Sequence, residues 1–576
     1  MFTRPVQFHE FLTHHGFIDD IYKAMNKSDL AEPVMTVLNI LTKTNSLPPL
    51  LKEPKSESKS TAFRNEGNQA YGSKKYQRAL ICYNKALLYA PKNSRAMKLA
   101  YSNRSALLLK VKSFSACLSD IETCFSMGCP LEIIEKLRKR KDEARSYLWV
   151  ERLAKDARST VFTKEYFKCN MKRNPQIPCA TTNVGIILED QVPKVVATTD
   201  IKVGVVLAVE TAFVSQNDPQ NAVFSCYYCH KMSLNLKPCD GCNIALFCNE
   251  NCRENCMREY HSIECQIIEV LDALYSGSML RMAVKAVLKM KNMSKSWSDF
   301  IAASHTTGMN RLKTSSINEI YDSNYKYSLL NIKDERHFLH GPLYNACFNC
   351  ASIVHYLEKV SCFLPQPADE RKSALQALAR MLMFLTLYST HTQVIMVVAV
   401  NEVEKTEFHD IANYGWFSFI GKLRNSCNPN VLAVGLNKKT ALLAIAPIKR
   451  GTELTISYVG HWLDNSTDKE IRHKNMFILC GVVCNCVVCT GEYEFFNNAK
   501  LTDVQKKNVR KLNLEEMGEQ RNWNCIPEIF AKLCKTLALL SDLPYSDEYA
   551  KVYTLFRRCV LCIQDLTTEN LMLDYV

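Results

Sequence analysis

The chain has 576 residues, 47% of them hydrophobic, with 26 cysteines and a formal net charge of +14. That length predicts several globular domains of roughly 100 to 200 residues each, with enough apolar material for packed cores. The positive charge is spread thinly, so direct nucleic-acid binding has only diffuse charge behind it. The N-terminal MFTRPVQFHEFLTHHGF breaks its apolar residues with His, Glu and Gln, lacks a signal-peptide core, and predicts an intracellular chain. Without a secretory signal, 26 cysteines do not form a disulfide framework, and their paired spacings point to metal.

Residues 1–50 read as helical and pass into a Lys/Ser/Glu/Pro linker, LLKEPKSESKST. Next, FRNEGNQAYGSKKYQRALICYNKALLYAPKN places Gly67, Ala79, Tyr83, Ala86 and Pro91 at a spacing that resembles a tetratricopeptide repeat (TPR). A second unit repeats the key alanine at Ala116, and LEIIEKLRKRKDEARSYL (131–148) predicts a capping helix, so the array spans 60–148. The run KLRKRK at 136–141 reads either as a solvated helix face or as a nuclear-import or nucleic-acid contact. Arg64, Asn68, Asn103, Lys136 and Arg140 match in order the carboxylate-clamp positions of co-chaperone repeat domains, with Arg64 in place of the usual lysine. The resemblance implies docking of acidic heat-shock chaperone C-termini.

Beyond the array, KVVATTDIKVGVVLAVETAFV (194–214) is rich in β-branched residues and predicts a short hairpin turning at Lys202, Val203 and Gly204. The segment 226–265 then supplies Cys226 and Cys229, Cys239 and Cys242, Cys248 and Cys252, His261 and Cys265. Eight soft ligands in four close pairs suit two tetrahedral zinc ions closed to water, structural rather than catalytic. Cys256 falls outside the spacing as a spare thiol. The ligand order resembles a MYND zinc finger, which implies that the first and third pairs share one ion and the second and fourth the other, and that the finger takes proline-rich peptides.

The apolar window MLMFLTLYSTHTQVIMVVAV (381–400) approaches spanning length but carries Ser, Thr, His and Gln, so it predicts a buried helix running into a buried strand, not a membrane span. A second β segment, TALLAIAPIKRGTELTISYVG (440–460), predicts another hairpin, turning at 449–451. Two β segments separated by a metal module and a long helical stretch suggest one β domain interrupted by insertions. Cys347 with Cys350, and Cys559 with Cys562, have metal spacing but no second pair nearby, and read as helix-core thiols.

SCNPNV (426–431), GTELTISY (451–458) and CNCVVC (484–489) resemble the core and post-SET motifs of a SET domain, and the chain is similar to the SET- and MYND-domain-containing family, its TPR-bearing branch. The implied architecture is α+β and multidomain: a SET domain in parts at 185–215 and 391–460, with the finger and a helical insertion (266–390) between them, a post-SET site at 461–490, and C-terminal helices at 491–576. The resemblance implies a third zinc on Cys427, Cys484, Cys486 and Cys489. It also implies methyl transfer from S-adenosylmethionine to protein lysines, histone or non-histone, with Tyr458 as the catalytic tyrosine.

The cofactor positions depart from the family pattern. VPKV (192–195) stands where the family has a glycine-rich loop, placing Lys194 against the cofactor, and Arg424 and Asn425 stand where it has Asn-His. A third family asparagine aligns with His391. Arg424 would set a positive charge near a sulfonium unless it swings outward or meets the methionine carboxylate. Two readings stay open: a protein-lysine N-methyltransferase with a diverged pocket, or an inactive adaptor binding chaperones or histone deacetylase corepressors. Both imply protein partners, transcriptional regulation, no membrane, and residence in cytoplasm and nucleus.

Overall fold

In the computed structural model the described residues are 5–14, 16–47, 52–150, 167–189, 192–217, 222–274, 277–322, 324–331, 340–360, 362–388, 393–398, 411–458, 461–465, 468–480, 483–491, 501–512, 526–543 and 546–568. The chain divides into two compact units, residues 49–163 with 216–274 and 566–576, and residues 1–48 with 164–215 and 275–565.

The first of these units contains a helical-hairpin array and the cysteine-rich module. Helices Glu57–Gly72 and Tyr76–Tyr89 form one hairpin, Arg95–Lys110 and Phe114–Ser126 a second, and Leu131–Ser146 covers the end. The hairpins repeat in detail. Ser56 and Ser94 cap the first helix of each pair, accepting from the N–H of Lys59 and Met97. Lys74 and Lys112, both at φ 58°, make the two tight turns. A Cβ at Gly67 would fall 2.5 Å from the Tyr83 ring, so only glycine lets the first two helices approach so closely. The linker reading needs correction: helix begins at Glu57, inside LLKEPKSESKST, and the Ser56 N–H is already tied to the Tyr89 carbonyl at 2.7 Å.

Array and finger share a buried polar seam. Arg104, fully buried, forms a bidentate pair with Asp120 (2.7 Å for each bond) and uses its third nitrogen on Asn84 Oδ1 and the finger's Leu236 carbonyl, at 2.7 and 2.8 Å. Asn84 in turn donates to the Val223 carbonyl at 2.8 Å. A buried guanidinium is costly unless every donor direction is used, and here the finger's backbone supplies part of the compensation.

The other unit holds the β structure. Helices Pro5–His14, Ile18–Met25 and Ala31–Lys43 belong to it rather than to the array, packing with His340–Lys359 and Ala368–Tyr388 of the long helical insertion. Arg380 clamps Asp29 through two bonds of 2.7 and 2.8 Å and gives its remaining nitrogen to Ser304. Helix Ala368–Tyr388 is followed by strand Gln393–Val398, as the apolar window predicts, and no helix among the described residues is long and apolar enough to cross a membrane. Cys347 and Cys350 are buried along one helix, as is Cys559 on the last.

The two β segments do not fold as the local hairpins predicted from their turns. Strand Val192–Ala197 pairs antiparallel with Val184–Glu189, while Val206–Thr211 pairs with Lys439–Ala444, which also pairs with Val431–Leu436. Bridges Val196↔Glu453 and Ile201↔Ile448 then bind the remote segments to each other. Gly204 and Gly451 do turn the chain, at φ 87° and 83°, but each turn delivers its strand to a partner more than two hundred residues away. A further sheet joins Val214–Asn217, Ile411–Trp416 and Gln393–Val398. Under these sheets lies a core that includes Val195, Leu207, Phe417, Phe419, Leu442 and Leu454. The C-terminal segment supplies helices Asp503–Arg510, Ile526–Leu539 and Asp547–Thr568.

Candidate functional site

Three four-ligand clusters assemble from the cysteines: Cys226, Cys229, Cys248 and Cys252; Cys239, Cys242, His261 and Cys265; and Cys427, Cys484, Cys486 and Cys489. Within each, the ligand atoms lie within 4.8 Å of one another. A tetrahedron with Zn–S bonds of about 2.3 Å has sulfur–sulfur edges of about 3.8 Å, whereas a disulfide needs about 2.05 Å. The separations are 3.6 Å for Cys229–Cys248 and Cys248–Cys252, 3.8 Å for Cys239–Cys265, 3.9 Å for Cys427–Cys484 and 3.5 Å for Cys427–Cys489. All three sets therefore fit closed zinc sites. Cys256 is buried outside them.

Local structure explains how the pairs converge. Asn249 caps helix Glu250–Cys256 by accepting from the Cys252 N–H at 2.8 Å, which turns Cys252 back toward Cys248. A π-helical turn, Met257–His261, then shifts the register before helix Ser262–Ala273, bringing His261 Nε2 to 3.7 Å from Cys242 Sγ. With Nε2 facing the cluster, Nδ1 donates to Glu264 at 2.8 Å, and Glu264 also accepts from the Tyr227 hydroxyl at 2.8 Å. Such outer partners fix the tautomer and orientation of a ligating imidazole. A Cβ at Gly241 would meet Cys265 Sγ at 2.7 Å, so the Cys-Asp-Gly-Cys turn needs its glycine. Lys55 closes this corner, its Nζ donating to the carbonyls of Cys239, Cys242 and Leu88 at 2.7, 2.9 and 2.7 Å. Burial lowers its pKa, partly opposed by the cysteines beside it.

On the array, Asn68 and Asn103 meet side chain to side chain at 2.6 Å, and the Tyr83 hydroxyl also reaches Asn68 Oδ1, at 3.0 Å. Lys136 is exposed. Arg64 has a buried Nε with no hydrogen-bond partner among the described residues. Arg140 lies along the neighbouring helix, donating to the Ser102 carbonyl and Ser105 Oγ at 2.7 Å each.

The third cluster stands beside Tyr458. The two-residue strands Arg424–Asn425 and Thr455–Ile456 run parallel, so the segment around Cys427 is threaded against the one ending in Tyr458. Ser426 N–H donates to Ile456 O and Trp462 N–H to Cys427 O, both at 2.9 Å. The Tyr458 hydroxyl donates to the Leu423 carbonyl at 2.6 Å, and its ring packs between the β core and the group formed by Cys427, Trp462 and Cys489. Asn425 accepts from the Tyr458 N–H at 2.9 Å and donates to Cys484 Sγ at 3.1 Å.

The turn carrying Leu423 is fixed from beneath. Glu210 accepts from the N–H groups of Phe419 and Ile420 at 2.9 and 2.8 Å, and Lys422 Nζ donates to the carbonyls of Ile320, Ser328 and Ser418 at 2.9, 3.0 and 2.7 Å. Burial pushes the Glu210 carboxyl up to about 7 and pulls the Lys422 ammonium down to about 7. Neither residue belongs to a recognisable motif, so their roles appear only once the chain is folded.

Of the predicted cofactor positions, Lys194 lies on strand Val192–Ala197 in an ion pair with Glu189. Arg424 swings outward, its side chain 60% exposed and paired with Glu453 at 3.2 Å. His391 lies outside the described residues.

The SET domain family profile matches residues 194–459. Among curated proteins, the chain is 27% identical over 271 residues to protein-lysine N-methyltransferase SMYD4 of Danio rerio, covering 44% of this chain and 34% of that relative. It is 25% identical over 268 residues to the Homo sapiens protein of the same name, covering 36% and 33%. The chain thus spans about a third of the length of these curated relatives. A separate likeness, 36% over 69 residues and 12% of each chain, is to a STIP1 homolog of Dictyostelium discoideum. With its two four-ligand clusters at 226–265 and the four-cysteine site beside Tyr458, the chain carries a SET domain and is similar over that region to the SMYD4 proteins.

Proposed function

We propose that this chain is a protein-lysine N-methyltransferase that uses S-adenosylmethionine. The observation that carries the reading is the anchoring of Tyr458 at both ends, its N–H on Asn425 and its hydroxyl on the Leu423 carbonyl. With the hydroxyl proton on that carbonyl, the tyrosine oxygen acts as an acceptor toward a substrate N–H. A lysine amine must be neutral to attack, although its ordinary pKa is about 10.4, and an acceptor that fixes one N–H aims the nitrogen lone pair. The ammonium proton leaves to water before attack, and the tyrosine ring shields the amine from resolvation.

When bound, S-adenosylmethionine supplies an electrophilic methyl group on a sulfonium. The charges at the predicted cofactor positions suit that cation: Lys194 is neutralised by Glu189 and Arg424 by Glu453, so neither sets an unbalanced positive charge against it. Lys194 and the Arg424–Asn425 backbone are the groups that would hold the cofactor.

The second reading, a non-catalytic adaptor, draws on the same facts from the other side. Lys194, Arg424 and Asn425 already spend their side chains within the protein. On either reading the paired amides of Asn68 and Asn103, with Arg64, Lys136 and Arg140, form the docking groove for acidic chaperone tails. The finger takes proline-rich peptides or histone deacetylase corepressors, and the protein regulates transcription from cytoplasm and nucleus.

Labelled-methyl transfer to a lysate, comparing wild type with Tyr458→Phe, tests the enzyme reading. Transfer that falls at least about a hundredfold in the variant supports it, and equal labelling by both proteins contradicts it. For the groove, Lys136→Glu with Arg140→Glu abolishes binding of an acidic chaperone-tail peptide, and undiminished binding would refute the assignment.

A further inference from the structure

Asn425 faces two groups whose demands fix its orientation. The Tyr458 N–H can only donate, so the Asn425 carbonyl oxygen must face it, at 2.9 Å, and the amide nitrogen is thereby aimed at Cys484 Sγ, at 3.1 Å. A neutral thiol is a weak acceptor, whereas a zinc-bound thiolate carries the charge that makes this bond worthwhile. Leu423, two residues earlier, holds the tyrosine's other end through its carbonyl, at 2.6 Å. One three-residue stretch therefore grips Tyr458 at both its N–H and its hydroxyl, and the side chain in that stretch is fastened to the third cluster.

We propose that the side chain of Asn425 is a positioning group that transmits the geometry of the third zinc cluster to Tyr458, leaving only the Asn425 backbone to face the cofactor. The inference rests on the methyltransferase reading for its effect on catalysis, but its effect on the metal stands apart from that reading. Loss of zinc would free Cys484, slacken Asn425 and leave the Tyr458 backbone unanchored. Cys427 belongs to the same cluster, and its own N–H points at Cys486 Sγ at 3.4 Å, so the segment is tied to the metal on both sides of Ser426.

The experiment uses the full zinc-loaded chain and three substitutions. Asn425→Asp keeps an acceptor for the Tyr458 N–H but sets a carboxylate against the Cys484 thiolate. Asn425→Ala removes both bonds. Asn425→His can accept through one ring nitrogen and donate through the other.

Zinc release to a chromogenic chelator should accelerate for one ion of the three by roughly tenfold or more in Asn425→Asp and Asn425→Ala. It should return close to wild type in Asn425→His. In steady-state methyl transfer, kcat should fall in the first two variants while KM for S-adenosylmethionine stays within about twofold. Unchanged zinc release in both Asn425→Asp and Asn425→Ala would overturn the inference. So would a raised cofactor KM with unchanged kcat, which would make the Asn425 side chain a cofactor ligand. If the wild-type chain binds no S-adenosylmethionine, the methyltransferase reading fails, and the zinc-release comparison still decides the metal link.

Discussion

His461 shows how burial converts a common residue into a pH-sensitive element of stability. It stacks on Tyr553 at 4.2 Å, its Nε2 faces Asn428 Oδ1 at 3.2 Å, and its Nδ1 accepts from the Leu463 N–H at 3.1 Å. Burial, reinforced by the charge of Arg557, lowers its pKa from 6.5 to about 3. Between these values the unfolded chain binds a proton that the folded chain does not, so stability falls as pH drops from 6.5 toward 3. Replacing His461 with Gln should remove about 3 kcal/mol of that pH dependence between pH 7 and 4.5. Denaturation midpoints of both proteins between pH 7 and 4.5 measure this, and parallel curves would contradict it. Single residues also mark the limit of sequence reading. Cys427 was legible as a cluster ligand through the resemblance of its motif, and the fold places Tyr458, singled out by the same resemblance, against that cluster. The outward swing of Arg424 was not legible, because it depends on Glu453, which only the parallel pairing with Thr455–Ile456 brings within reach.

Among the elements, the seam between array and finger decides how metal and helices support each other. Lys55 bridges the Leu88 carbonyl near the end of helix Tyr76–Tyr89 and the carbonyls of two ligands in the second cluster. Lys55→Met should therefore lower hydrogen-exchange protection in that helix as well as in the finger, by about 2 kcal/mol. A loss confined to the finger would show the two to be independent. Arg104→Met leaves Asp120 buried without its partner and should cost about 3 to 5 kcal/mol in chemical denaturation. A cost under about 1 kcal/mol would mean that water or rearrangement compensates. The helices themselves were readable from Gly67, Ala79 and Ala116, whose small side chains follow from close helix packing. The seam was not, since Lys55 lies in a stretch with a linker's composition and Arg104 looks like any helix-surface arginine.

Across the whole molecule, zinc gathers segments that are far apart in sequence. The finger's ligands lie within 40 residues, but Cys427 must wait for cysteines 57 to 62 positions later. Elemental analysis should give three zinc ions per chain, and two would mean that the third cluster does not hold metal. The interruption of the β domain was legible from its two β-branched segments. Their mutual pairing through Val196↔Glu453 and Ile201↔Ile448 was not, because turn residues report where a chain reverses and not which distant strand it meets. The central functional claim is that this scaffold still holds a methyl donor beside Tyr458, and calorimetric titration of the zinc-loaded chain with S-adenosylmethionine tests it most directly. One-to-one binding is predicted, and no binding at millimolar cofactor would contradict the enzyme reading and leave the adaptor.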